Sequence, residues 1–227
     1  MKKLHDKHFP NENRKYRDAR NDLLKAEIKL RKQTEDVASL RRKLPVGGKL
    51  KEDYTFEEID PKTGKAKETK LSELFGDKDT LIVYSYMYPP ENERPCASCT
   101  SIIDGINGMV FNVNERVSFV MVAKAPIKKL AKWAKSKNWK HVRMLSSYNN
   151  TYNTDYFGET ESGGQMPMTN VFIKKGKNIN HFWGTELLYA PTEKEQDPRH
   201  ADTIWPLWNL LDMTPDGRGA KWNPIHW

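Results

Sequence analysis

Two cysteines stand three residues apart in the stretch ERPCASCTS, at Cys96 and Cys99, and the chain has no others. The pair admits three readings: a redox couple, half of a metal site, or two thiols that happen to be close. A structural zinc site takes four ligands. No further cysteine exists, and the six histidines (His5, His8, His141, His181, His200, His226) include no H-x₃₋₅-H pair, His5 and His8 being too close together. No metal site is therefore expected, and no cofactor. Thiol chemistry asks for less. If a helix starts at the pair, its unpaired N–H groups and the positive end of its dipole stabilise a thiolate on Cys96, beside Arg94. C-x-x-C thiols so placed titrate near about pH 7 instead of ~8.5. Cys99, one turn further in, can then attack a mixed disulfide on Cys96 and release reduced substrate. Ala97 and Ser98 between them are small and leave the first sulfur accessible. The alternative of two inert buried thiols stays open, because free cysteine is a common core residue.

The elements that must position the pair follow from periodicity. The run TLIVYSYMY (80–88) reads as a buried strand. After PPENER, the pair opens a helix whose apolar positions, Cys99, Ile102, Ile103, Ile106, Met109, Val110 and Val113, recur at the helical period. RVSFVMVA (116–123) is a second buried strand, and PIKKLAKWAKSKN (126–138) is an amphipathic helix with proline in its first turn. HVRML (141–145) predicts a third strand, 168–183 a hairpin turning at Lys175–Gly176, and 203–211 a closing helix. Upstream, YTFEEIDPKTGKAKETK predicts a small hairpin turning over Pro61 to Gly64, followed by a short helical turn in KLSELFG.

Strand, helix, strand, helix, strand, hairpin, helix is an α/β layer structure. The expected architecture is a thioredoxin-like mixed sheet flanked by helices, parallel in its first strands and antiparallel in its last two, with a long N-terminal helix. In that fold the C-x-x-C lies where the first core strand hands over to its helix. Pro167, just before the strand in QMPMTNVFI, falls where thioredoxin-like folds hold a cis proline facing the cysteines. The backbone of Met166 is expected to pair with extended substrate as a strand edge does. Met166, Pro167 and Arg94 are the expected substrate-binding residues, and Cys96 and Cys99 the catalytic ones. DYFGE (155–159) and the tryptophans Trp183, Trp205, Trp208, Trp222 and Trp227 suggest a pocket, set against tryptophan's ordinary role in packing.

The net charge of +8 is unevenly placed. Residues 1–51 hold 16 Lys and Arg against 7 Asp and Glu, and the remainder hold 22 against 23. The basic part predicts one long helix over 13–44. Its seam is Tyr16, Ala19, Leu23, Ala26, Leu30, Gln33, Val37, Leu40 and Leu44, spaced alternately three and four apart, with Leu24 and Ile28 widening it. Acids are interspersed and aromatics do not interleave with the basic residues, so no nucleic-acid partner is expected. A stripe that wide is expected to pack in part on the chain's own sheet domain, the rest helping to form a symmetric homodimer. The expected organisation is a loose terminus at 1–12, helix and linker at 13–48, a thioredoxin-like domain at 49–215 and a tail at 216–227. No apolar run reaches membrane-spanning length and no leader pattern opens the chain, so a cytoplasmic protein without membrane contact is expected.

The chain resembles a thioredoxin-like family whose members are labelled predicted dithiol-disulfide oxidoreductases. The resemblance is carried by YRDARNDLLKAEIKLRKQTEDVASLRRKLP, LSELFGDKDTLIVYSYMYPP, CASCTSIIDGING, VAKAPIKKLAKWAKSKNW, SSYNNTYNTDYF and LLDMTPDGRG, across nearly the whole chain. RRKLP and TPDGRG are its specific parts, having no role in generic thioredoxin. It implies a thioredoxin-like fold and a redox role with Cys96 and Cys99 on the cysteine motif, and it supplies no substrate. The thiol-exchange reading itself expects a protein or small-molecule disulfide as substrate and a separate reducing partner. This chain departs from the pattern at Ala123-Lys124-Ala125-Pro126, where the family carries serine-arginine-alanine-proline, and in the longer, more polar 189–205. Lysine keeps the charge and loses the planar fork. A peroxidase of peroxiredoxin type is the rival enzyme reading. Peroxiredoxins place threonine three residues before the attacking cysteine and bring in an arginine; position 93 here is Glu, and Arg143 is the arginine nominated. The rival of a different class is a non-catalytic interaction module with inert cysteines.

Overall fold

The computed structural model describes residues 4–194, 196–217, 219 and 222–226. It divides into two compact units, Met1–Pro45 and Val46–Trp227.

The first unit is helix α1, Arg14–Arg42. Asn13 caps it, its side-chain oxygen accepting the Tyr16 N–H at 2.9 Å. Arg41 and Arg42 in the last turn suit the negative end of the dipole. Ahead of it, Glu12 gathers the His8 ring, the Phe9 N–H and the Arg17 guanidinium. No residue of α1 is buried, and Leu23, Leu30 and Leu40 of its seam are exposed.

The second unit is built on one seven-stranded sheet. Its elements are β1 (Thr55–Ile59), β2 (Ala66–Lys70), β3 (Thr80–Tyr86), α2 (Ala97–Asn114), β4 (Ser118–Ala123), α3 (Ile127–Ser136), β5 (Arg143–Ser146), α4 (Tyr152–Asp155), β6 (Thr169–Lys175), β7 (Asn178–Gly184) and α5 (Pro206–Leu211). The strand order is β2-β1-β5-β4-β3-β6-β7. β3, β4 and β5 run parallel, and β6 and β7 return antiparallel, as the thioredoxin-like reading expects. The early hairpin adds two strands to the far edge, β1 meeting β5 through Glu57 and Ser146. Gly176 turns β6 into β7 with φ +59°, a conformation glycine adopts without strain.

β3 is buried on both faces, and alternation divides its side chains between two cores. Leu81 and Val83 face a cluster with Tyr54, Phe56, Leu71, Phe75, Tyr152 and Phe172. Tyr84 and Tyr86 face the other, with Ile102, Ile103 and Ile106 of α2 and Leu130 of α3. Among the described residues no helix is long and apolar enough to cross a membrane.

Candidate active site

β3 ends at Tyr86, and the chain crosses a short loop before entering α2 at the cysteines. Several bonds hold that loop. Tyr88 is buried and its hydroxyl donates to Glu93 O at 3.0 Å. Lys129 of α3 donates to the carbonyls of Pro90 (2.7 Å) and Asn92, its ammonium lying 5.0 Å from the Tyr88 ring centre. The Cys96 N–H returns to Met87 O at 3.0 Å. Cys96 thus arrives as the N-cap of α2, with φ −64° and ψ 128°.

At that position the Cys96 sulfur faces the open end of the helix. It accepts the Cys99 N–H at 3.4 Å. The strongest influence on it is the Cys99 thiol, which hydrogen-bonds it. Partial burial opposes ionisation, while the N–H groups of Cys99 and Ser98 and the Ser98 hydroxyl favour it. The balance lowers the Cys96 thiol to about 6. Arg94 is exposed on the preceding loop, two residues before Cys96. The first turn of α2 supplies the Cys99 and Ser98 N–H groups.

Cys99 has the opposite character. It is 1% exposed, and burial, then the neighbouring Cys96, push its thiol well above the ordinary value. The Tyr84 hydroxyl donates to its sulfur at 3.2 Å. Tyr84 is fully buried, and burial followed by the charge of Cys99 raises its own pKa, so it remains a donor. One step along, Thr100 Oγ1 gives its proton to Cys96 O at 2.9 Å. The 2.8 Å contact between Tyr86 OH and Thr100 Oγ1 is therefore donated by the tyrosine. Alternate tyrosines of β3 thus hold the first turn of α2 from beneath. Both cysteines are free thiols.

The other expected site residues divide. Ser85 N–H bonds Met168 O at 2.7 Å, continuing the β3–β6 register past Tyr84 and Thr169. Pro167 therefore lies at the strand end from which the cysteine loop departs. Its peptide bond is trans, and no cis bond occurs among the described residues, which overturns the cis expectation. The reason is local. Met168 N–H closes onto Met166 O at 3.0 Å, a three-residue turn that suits proline's fixed φ at its centre. Met166 N–H bonds Gly158 O at 2.9 Å. The Met166 donor that would pair with a substrate strand is already used inside the chain.

Lys124, at the end of β4, donates to Asn150 O at 3.0 Å and lies 3.7 Å from the Glu159 carboxylate. A single ammonium meets both without a guanidinium fork. Arg143 donates twice to Glu58, at 2.8 Å each, from the β5–β1 edge. Trp205 and Trp208 are buried in the α2 core, the Trp205 ring N–H donating to Ser101 at 3.1 Å. Trp183 is half-buried on β7, Trp222 is exposed, and Trp227 lies outside the described residues. The DYFGE stretch does line a cavity, of about 250 Å³: Asp155, Tyr156 and Phe157 face Met168, Asn170 and His181 there, without a tryptophan. The signal for Tyr84 and Tyr86 was present in YSYMY, hydroxyl-bearing rings at strand period just before the cysteines.

A family model described as "Bacterial protein of unknown function (DUF899)" matches residues 6–227. The chain belongs to that family. No curated protein sequence matches it. Solved structures similar to it include the reduced 2-Cys peroxiredoxin of Plasmodium vivax, at 17% identity and TM-score 0.48, covering 70% of this chain and 96% of that one. The peroxidoxin BcpB of Mycobacterium tuberculosis is 18% identical, with TM-score 0.45 and coverage of 74% and 98%. The Enterococcus faecalis AhpC is 11% identical, with TM-score 0.48 and coverage of 79% and 98%. At those identities the likeness says nothing of a shared reaction.

Proposed function

We propose that this chain is a thiol–disulfide oxidoreductase in which Cys96 attacks and Cys99 resolves. The observation that carries the reading is the opposite treatment of two neighbouring sulfurs. One is partly buried at a helix end with its thiol lowered to about 6, and the other is buried with its thiol raised. Inert core thiols would both be raised.

In the first step the Cys96 thiolate attacks a sulfur of the substrate disulfide. A Cys96–substrate bond forms, the substrate S–S bond breaks, and its electron pair leaves on the far sulfur, which takes a proton. Cys96 then carries no charge, so one of the influences raising Cys99 is gone. Cys99 loses its proton to the departing sulfur and attacks Cys96. The Cys96–Cys99 bond forms and the second substrate thiol leaves. Two electrons have passed to the substrate, and a thiol reductant must return them. Peroxide reduction is supported less well, because Arg143 is committed to Glu58 and Glu93 stands where that chemistry uses threonine.

Alkylation of the reduced protein by iodoacetamide at varied pH, read for each cysteine by mass spectrometry, tests the reading. The Cys96 rate should rise through an inflection near 6. At pH 7 it should exceed the Cys99 rate by well over about tenfold, because burial holds the Cys99 thiol well above its ordinary value and leaves little of it as thiolate. Equal, slow rates at both sulfurs would leave the interaction-module reading in its place.

The exposed seam of α1 fits a second copy of the chain. A 29-residue helix gains most of its stability by packing an amphipathic face, and α1 buries no residue. Gln33, the polar seam position, would meet its own kind near the middle and set the register. Leu30→Asp with Val37→Asp should turn a sedimenting dimer into a folded monomer. A dimer that survives the double change places the interface elsewhere.

A further inference from the structure

A larger cavity, of about 590 Å³, opens where α3, the start of β5 and the end of β1 meet, and it contains neither cysteine. That volume lies in the ordinary range of small-molecule sites, about 300–1,000 Å³. Its apolar floor has a sequence cause. Ile127, Ala131 and Ala134 are spaced four and three apart, so they share one face of α3. The two alanines give that face its depth. Trp139, Met144 and Ile59 complete the floor, and Trp139 is held by its ring N–H to Asp104 at 2.7 Å.

The rim is charged and unbalanced. Glu58 is the acid in the lining, and its carboxylate is fully engaged. It takes two bonds from Arg143 at 2.8 Å and one from Thr69 at 2.6 Å, with Lys67 3.4 Å away. Burial would raise its pKa, but Arg143 and Thr69 hold it down to about 2, so it stays ionised and paired at neutral pH. Lys135 and Lys140 also line the cavity, and neither makes an ion pair among the described residues. His141 beside them has its N–H on Asn107 Oδ1 and its ring 4.3 Å from the Phe111 ring. An apolar floor under two uncommitted ammonium groups is complementary to a molecule with an apolar body and one negative end.

We propose that this cavity binds an apolar monocarboxylate, its hydrocarbon lying on the Ile127–Ala131–Ala134 face against Trp139 and its carboxylate meeting Lys135 and Lys140. Neither cysteine lines the cavity, although Trp139 of its floor packs edge-on against Tyr86 at 5.8 Å. Burial of the hydrocarbon supplies affinity, at about 0.8 kcal/mol per methylene, and the lysines supply the preference for an anion.

Calorimetry on the full chain at low ionic strength decides it, with sodium octanoate, octylammonium chloride and octan-1-ol as probes. Octanoate should bind at one site and at least about tenfold more tightly than octylammonium, ~1.4 kcal/mol, a size that two partly exposed charge contacts can supply. Lys135→Glu with Lys140→Glu should remove that preference while leaving octanol binding in place. Ala131→Phe should fill the floor and abolish all binding, with the circular dichroism spectrum unchanged. The proposal is overturned if octanoate does not bind below its micelle concentration, if octylammonium binds as well, or if both variants bind octanoate like the parent.

Discussion

Cys99→Ser will leave Cys96 joined to partners through disulfides that do not resolve, whereas Cys96→Ser will capture almost none. The resolving sulfur is gone in the first variant and the attacking one in the second. The choice of serine matters. The Cys99 thiol is the strongest influence lowering Cys96, and a serine hydroxyl can still donate to that sulfur. Cys99→Ala removes the donor, so Cys96 should move back toward its ordinary value and alkylate several-fold more slowly at pH 7, the backbone N–H groups preventing a complete return. Incubating each variant with a cell extract, blocking free thiols and resolving adducts without reductant measures the first effect. An adduct yield at least tenfold above the parent is expected for Cys99→Ser. If that variant holds no partner while its Cys96 alkylates at the expected rate, the thiol is activated for something other than exchange with protein disulfides.

The parts of this site that could be read in the sequence are those with a local cause. Cys96 at a helix N-cap follows from an apolar strand, a proline-rich loop and a helical period starting at Cys99. The order of β3, α2, β4, α3 and β5 follows from alternating patterns, and the return of β6 and β7 from a glycine turn. What escaped is pairing at long range. Glu58 and Arg143 are 85 residues apart, and Thr69 reaches the same carboxylate from β2. A buried glutamate in a short hairpin gives no pattern that shows where its partner will come from. The docking of β1 on β5 escaped for the same reason. Helix α4 is four residues long, too short to show a period. Pro167 was misjudged through its neighbours. The trans preference of an X–Pro bond is small, so tertiary contacts that the sequence does not display decide the isomer, and here the Met166 carbonyl reaches the Met168 N–H across a trans bond.

Tyr84→Phe should slow reduction of the Cys96–Cys99 disulfide by dithiothreitol about tenfold while changing Cys96 alkylation by less than about twofold. When an external thiolate attacks Cys96 in the disulfide, the S–S bond breaks and its electron pair is left on Cys99. That sulfur is in the core, where an anion without a donor is costly. The Tyr84 hydroxyl, 3.2 Å away and kept protonated by its own burial, is the side-chain donor that meets it from β3. A hydrogen bond to a charged acceptor contributes roughly 1.5–3 kcal/mol, and 1.4 kcal/mol is a factor of about ten in rate. The sulfur accepts this bond in the reduced protein and is a poorer acceptor within a disulfide, so the loss falls mainly on the reduced state. The potential should accordingly become more negative, by up to about 30 mV for each 1.4 kcal/mol. Phenylalanine preserves the ring and leaves no buried polar atom without a partner, so the stability change should be small. Cys96 keeps its N–H groups and the Cys99 thiol, which is why its alkylation is the control. Reduction kinetics and a glutathione titration that both match the parent would show that the tyrosine only fills space beneath α2.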